Sequence, residues 1–406
     1  MPVPKLLHSF SIPSSTNYVN IVGGKGASVV DDSGKSYLDA LATLWYCQAG
    51  HGATPIIDAI KAQLDKLVAF HTFEIFTNDP AEELAQMLAD RSPWGDCRVF
   101  LGNSGSEAVD TAMKLARAAH VRNGDSDRTV IISRDRAYHG VNYGGMSAQG
   151  LPLNKEGFGP LLPDVVQAPA DDLEAVATMF AQNGSRIAAV MVEPVQGAGG
   201  VFPPPEGYLE GLRRLCDQHG AFLIFDDVIC GYGRLGTWTS ADKFGVKPDL
   251  VTFAKGVSSG YLPVSGVLIS PQIVEILEQD GDWIFRHGFT YSGHPTCTAA
   301  AVANLKLLES EQLLTRAVAI GERLSAGFQA LVDDGTVSGY RGVGAVWAVQ
   351  LNDDVVSKSV REKMFENGAI LRNFETALAF CPPLVISNEE IDQLLDITSE
   401  SIHAVA

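Results

Sequence analysis

Six runs of four to six residues, apolar almost throughout and rich in Val, Ile, Leu and Phe, recur along the chain at 98–101, 130–133, 188–193, 222–226, 250–254 and 264–269. A strand with one face in water alternates polar and apolar residues. A run that is apolar on both sides of the pleat must be covered on both faces. Between these runs, stretches such as 107–122 and Tyr208–His219 carry apolar residues at helical spacing. Covered strands alternating with helices describe an α/β chain built on a mostly parallel sheet.

Several of these runs end in polar residues. Asp226 closes one, Lys255 follows another, Glu193 closes a third, and Asn103-Ser-Gly-Ser106 follows a fourth. Open α/β sheets bind ligands beyond the carboxyl ends of their strands, so these ends place two carboxylates, an amine and a loop on one sheet edge. An amine that forms an imine with an aldehyde, and a carboxylate that keeps a pyridine nitrogen protonated, are what pyridoxal phosphate chemistry requires at two ends of one ring. The run Val99-Phe-Leu-Gly102-Asn-Ser-Gly105-Ser106-Glu107 goes strand, loop, helix, and a helix start presents free N–H groups to an anion. The same run also reads as a plain helix cap with Glu107 on the dipole. It lacks the Gly-Lys-Ser/Thr of a nucleotide loop. Tyr138 follows the 130–133 run, where its ring could stack on a planar cofactor or simply fill a loop. Gly231-Tyr-Gly233-Arg-Leu-Gly236 matches the dinucleotide pattern, but the segment 237–244 behind it is too short and polar for a crossover helix.

The 406 residues exceed one simple core and suggest about two or three domains. Residues 1–20 read as an extended arm, 21–45 as short strands with a turn at 31–35, and 55–69 and 80–91 as helices. A long helix over 296–310 continues toward 331. Strand-like 345–351 and 379–381, with helices over 357–367 and from 388, then form a smaller α/β unit. The expected division is 1–54 as arm and part of the small domain, 55–310 as the large domain, and 311–406 as the rest of the small domain. A net charge of −18 disfavours nucleic acid and anionic membrane as partners. Six cysteines without C-x-x-C spacing read as reduced thiols, not as a zinc site or disulfide framework, and no metal is expected. The first residues lack a charged and then apolar leader, and no apolar run reaches membrane length. A cytoplasmic protein is expected.

Taken together, the motifs resemble the class III, or omega-type, aminotransferases of pyridoxal phosphate fold type I. They are Asn103-Ser-Gly-Ser-Glu-Ala108, Tyr138-His-Gly140, Glu193-Pro-Val-Gln-Gly-Ala-Gly-Gly200, Asp226-Asp-Val-Ile-Cys-Gly-Tyr-Gly-Arg234, Ala254-Lys-Gly256, His287-Gly-Phe-Thr-Tyr-Ser-Gly-His-Pro295 and Cys381-Pro-Pro-Leu384. They stand in the family's order over nearly the whole chain. The resemblance implies a seven-stranded large domain with a smaller α/β domain, and pyridoxal 5′-phosphate as cofactor. It implies Lys255 as the imine-forming residue and proton carrier, and Asp226 as partner of the ring nitrogen. Val228 and Tyr138 would lie on the two ring faces, Gly105 and Ser106 at the phosphate, and Glu193 and His139 close by. Thr290 would reach the phosphate of a neighbouring subunit, making the active unit a homodimer or a tetramer built from it.

Within that resemblance, Trp45 and Phe73 match aromatic walls of an amine pocket, and Arg372 matches a mobile arginine that pairs with a substrate carboxylate. Ala198 in the Gln-Gly-Ala-Gly-Gly run resembles the amine and beta-alanine:pyruvate branch. Asp227 departs from the family's usual Glu, and Glu74 stands where apolar residues are common. The expected reaction moves an amino group from an amine or omega-amino acid to an oxo acid, pyruvate foremost. An aminomutase, a 2-oxoglutarate-using ornithine or 4-aminobutyrate type, and a catalytically silent binding protein are the rival readings.

Overall fold

The computed structural model describes residues 4–405; the first three residues of the expected 1–20 arm lie outside this range. The chain opens with three short strands, β1 (Ile21–Lys25), β2 (Ser28–Asp31) and β3 (Ser36–Asp39). The turn between β2 and β3 is held by Asp31, whose Oδ1 accepts from the Ser33 and Lys35 N–H groups at 2.9 and 3.0 Å. β3 pairs in parallel with Ala369–Ile370, which joins the two ends of the chain in one four-stranded sheet.

The central sheet holds seven strands: β4 (Arg98–Gly102), β5 (Val130–Arg134), β6 (Val165–Ala168), β7 (Ile187–Val192), β8 (Phe222–Asp226), β9 (Leu250–Phe253) and β10 (Ser265–Ile269). Their order is β4-β10-β9-β8-β7-β5-β6. All neighbours are parallel except β10, which runs antiparallel to both β4 and β9. The stretch from β9 to β10 is only residues 254–264, with a single short helical turn at Lys255–Val257. That length favours a return over a covered crossover, which needs a dozen or more residues. β6 is the strand missing from the apolar runs. It is an edge strand, half-buried over most of its length, so it lacks the unbroken apolar signature of its neighbours.

The two-faced burial is literal. Ile131, Ala189, Met191, Phe222 and Ile224 pack against the helix Gly105–Arg122 on one face. Ile132, Val190, Val192, Leu223 and Phe225 pack with the helices Leu173–Asn183 and Tyr208–His219 on the other. Successive residues of one strand thus feed opposite cores, as the pleat requires.

The expected long helix after the sheet is two helices, Pro295–Ser310 and Leu313–Asp333, broken at Gln312, whose φ is +54°. Beyond them a four-stranded sheet, in the order Gly339–Val343, Val346–Gln350, Ala377–Phe380, Arg372–Asn373, packs against Leu313–Asp333 and Ser357–Glu366, and Asn388–His403 packs against both of these helices. Among the described residues, no helix is long and apolar enough to cross a membrane, and no group of His, Cys, Asp and Glu could hold a metal ion.

Ile224 has no exposed surface. Ile224→Ala should destabilise the chain by about 2–5 kcal/mol, read as a lowered midpoint in urea unfolding.

Candidate active site

Because β10 is antiparallel to both neighbours, β4 and β9 point the same way. The carboxyl ends of β4, β5, β7, β8 and β9 therefore open on one edge of the sheet. There a recess of about 110 Å³ is lined by Lys255, Asp226, Glu193, Tyr138, Ser106 and Val228, with Gly105, His139 and Ile229. A cleft of about 960 Å³ elsewhere on the chain is larger, but it lacks the amine–carboxylate pair. The chemistry marks the smaller recess.

Asp226 is buried at the end of β8. Its Oδ1 accepts from the Thr252 hydroxyl at 3.0 Å and the Val228 N–H at 3.2 Å, while Oδ2 lies 2.8 Å from Nδ1 of His139. Three hydrogen bonds replace water lost by this buried carboxylate and leave about one of its four acceptor positions open. Glu193 is also buried; it accepts from the N–H groups of Tyr138 at 2.8 Å and Gly197 at 2.9 Å. Burial raises its carboxyl above the ordinary range, and nearby Asp226 adds to this against His139 and the two N–H groups. Glu193 thus pins two loops beside the recess.

Lys255 lies two residues beyond the end of β9, in a left-handed backbone conformation with φ +45°, which is uncommon for a residue with a side chain and concentrates at functional sites. The residue is half-buried and lines the recess. Desolvation lowers its pKa from the usual lysine value, opposed by Asp226 and Glu193. That raises the share of neutral, nucleophilic amine.

The anion end is built by the helix Gly105–Arg122. Ser104 caps it by accepting from the Glu107 N–H at 3.2 Å. Among the described residues, the N–H groups of Gly105 and Ser106 have no partner, leaving them free for an anion at the helix start. Ser106 Oγ accepts from the Val141 N–H at 2.9 Å. This close approach needs glycine at 140: its φ is +90°, and a Cβ there would lie 2.5 Å from Ser106 Oγ. The buried Nε2 of His139 has no partner among the described residues. An amine, a carboxylate held by three donors with about one of its four acceptor positions left over, and free helix-start N–H groups around one narrow recess fit pyridoxal phosphate.

Trp45 is 2% exposed, does not line the recess, and belongs to the same buried cluster as Val195, Val201 and Ile229, of which Ile229 lines it. Arg372 is half-buried and has no ion pair among the described residues; burial lowers its pKa, opposed by the nearby Tyr138. Phe73 and Glu74 line the larger cleft instead, beside Gly288. Their segment is tied down where Thr72 Oγ1 donates to the Ser292 carbonyl at 3.0 Å and Asn78 Nδ2 to the Gly293 carbonyl at 2.8 Å. Thr290 is exposed. Within one chain, neither Phe73 nor Thr290 lines the Lys255 recess. Thr252 was not among the residues singled out from sequence. Its signal is a lone hydroxyl in the buried run Leu250–Phe253, directly opposite Asp226 in the sheet register.

The family described as aminotransferase class-III matches residues 11–402. The chain is 36% identical to an omega-aminotransferase of Caulobacter vibrioides over 89% of this chain and 88% of that one. It is 34% identical to a putrescine–pyruvate aminotransferase of Pseudomonas aeruginosa, over 95% and 91%. An amine transaminase from an uncultivated Pseudomonas species, solved with pyridoxal phosphate bound, superimposes with a TM-score of 0.94 at 30% identity, over 99% of both chains.

Asp227 is buried, and both of its oxygens accept from Ser240: Oδ2 from the N–H at 2.7 Å, Oδ1 from the hydroxyl. It thereby closes the loop that carries Val228 and Ile229. Burial pushes its carboxyl up to about 7. A carboxyl raised in the folded state contributes most stability below about pH 4, and that contribution is lost as pH rises through about 7. Asp227→Asn keeps an acceptor for the Ser240 N–H and removes the titration. Relative to wild type, it should gain about 1–3 kcal/mol of stability between about pH 5 and pH 8; unfolding midpoints at the two pH values check this.

Proposed function

The chain belongs to the class III aminotransferases, and on that premise we propose that it moves the amino group of a primary amine or omega-amino acid to pyruvate, with Lys255 and Asp226 at opposite ends of pyridoxal 5′-phosphate. The observation that carries the reading is the buried Asp226 carboxylate, held by three donors across one recess from a lysine whose amine is biased toward neutrality. Bound in this recess, the cofactor supplies an aldehyde for amine capture and a ring that accepts the electron pair left at the donor carbon.

The chain's own groups do the rest. Lys255 Nζ would carry the proton from the donor carbon to the aldehyde-derived carbon of the cofactor, and in the second half-reaction would carry one from that carbon to the carbon of the oxo acid. Asp226 Oδ2, fixed by His139, holds a negative charge where the ring nitrogen needs one. Val228 and Tyr138 confine the ring, and Glu193 holds the Tyr138 backbone in place. The free N–H groups of Gly105 and Ser106 take the phosphate.

Thr290 reaches the phosphate of a second copy, and Phe73 shapes that copy's amine pocket. The support is that both residues are exposed and stand away from their own chain's recess. The working unit is then a homodimer, in the cytoplasm, with 55–310 as the cofactor domain and 1–54 joined to 311–406. Trp45 backs the amine side through Ile229. Arg372, beside Tyr138 and without an ion pair among the described residues, takes the carboxylate of the oxo acid bidentately.

A panel of amines assayed with pyruvate and with 2-oxoglutarate tests the reading. Alanine should appear in step with donor consumed; glutamate alone, or isomerised donor without alanine, would point to the rival acceptor or to an aminomutase. Asp226→Asn should lower turnover by about a hundredfold or more while cofactor still binds. Near-normal turnover would remove Asp226 from its assigned role. In single-turnover measurements, Arg372→Ala should slow the oxo-acid half-reaction more than the amine half-reaction; equal slowing would take the carboxylate contact away from Arg372.

A further inference from the structure

His287 stands at the larger cleft, in the segment that carries Thr290. Its ring stacks on Phe100 with centroids 5.3 Å apart and planes 10° from parallel, and it meets the edges of Phe285 and Phe289. Nε2 lies 2.8 Å from the Thr111 hydroxyl, and Nδ1 lies 3.5 Å from Nζ of Lys114. Both partners belong to the helix Gly105–Arg122, whose first turn faces the recess.

The proton on His287 can be placed. The single hydrogen of Thr111 Oγ1 goes to the Glu107 carbonyl at 2.7 Å. Toward His287 that hydroxyl is an acceptor, so Nε2 carries the hydrogen. Nδ1 then offers its lone pair to Lys114. A second proton at Nδ1 would face an ammonium group and break this arrangement. The charged groups around the ring are Lys114 and Glu107 from the helix, Arg286 beside it in the chain, and Glu74 and Glu82 on the cleft wall. Burial, and then Lys114, lower the imidazole pKa below its ordinary value, with Glu107 opposing.

We propose that His287 is a positioning residue for the cofactor phosphate: in its neutral form it docks the Thr290 segment onto the helix Gly105–Arg122, and its protonation loosens that dock. The inference rests on the reading that Thr290 reaches the recess of a second copy. A group whose pKa is lowered in the docked state favours docking above the ordinary histidine range and loses it as pH falls. Cofactor retention should follow. Removing the Lys114 charge brings the docked and undocked imidazole closer in proton affinity, so the acid effect should shrink.

The test follows cofactor release from the holoenzyme by absorbance during rapid dilution, at about pH 8 and about pH 5.5, with light scattering to track assembly. Wild type should release cofactor at least about fivefold faster at the lower pH. His287→Gln, which can still donate to Thr111 but cannot titrate, should change by less than about twofold, and Lys114→Met should fall between the two. His287→Ala should release faster at both pH values, with rescue by the Gln variant separating docking from general packing. If His287→Gln stays as acid-sensitive as wild type, the proposal is overturned. Thr290→Ala separates the two layers: unchanged release at pH 8 removes the Thr290 reading itself, whereas faster release with an acid-sensitive His287→Gln removes only the role of His287.

Discussion

A carboxylate taken out of water has to find its donors in the protein, and the site is arranged around Asp226 meeting that demand. Thr252 comes from β9, Val228 from the loop after β8, and His139 from the loop after β5. Three separate elements must therefore sit in register for one side chain. The parallel pairing of Asp226 with Thr252 supplies the first contact. Glu193, which pins the Tyr138 backbone next to His139, supports the third. The recess exists because these elements cannot drift apart without leaving a buried charge unpaired.

Two arginines, one of them fully buried, join the C-terminal sheet to the site. Arg234, with no exposed surface, donates from Nη1 to the carbonyls of Ala345 at 3.0 Å and Pro382 at 2.8 Å. Arg341 donates to the carbonyls of Gly200 and Val201, and its guanidinium stacks over Phe202. A guanidinium fixed by several carbonyls orients both partners at once. Each clamp ties a loop beside the recess to the strands that also carry Arg372. The placement of that arginine near Tyr138 thus follows from how the two sheets are joined, more than from anything adjacent to it in sequence.

The strand-end residues were legible because a doubly covered strand has to be apolar, which leaves polar side chains only at its ends. Lys255, Asp226 and Glu193 were visible for that reason, and the loop before Glu107 for its glycine and hydroxyls. Thr252 was harder to see, since one hydroxyl inside a buried strand looks like a tolerated core residue until its register partner is known. β6 was missed because a half-covered edge strand carries a weaker apolar signal. The antiparallel β10 reads from sequence like its parallel neighbours, because burial on both faces does not encode direction.

Asp227 shows what a second buried carboxyl beside the site does structurally. Its two oxygens are taken up by Ser240, closing the loop behind the recess. Phe73 makes the opposite point: motif position put it at an amine pocket, while its own chain holds it in another cleft through Thr72 and Asn78. By itself the sequence determined the layered α/β plan, the sheet edge where the chemistry gathers and the family, because burial patterns and motif order are written locally. Only the tertiary structure decided which donors hold Asp226, the direction of β10 and which side chains share a recess with Lys255. Those depend on strand register and on contacts between residues far apart in the chain, which no local pattern carries.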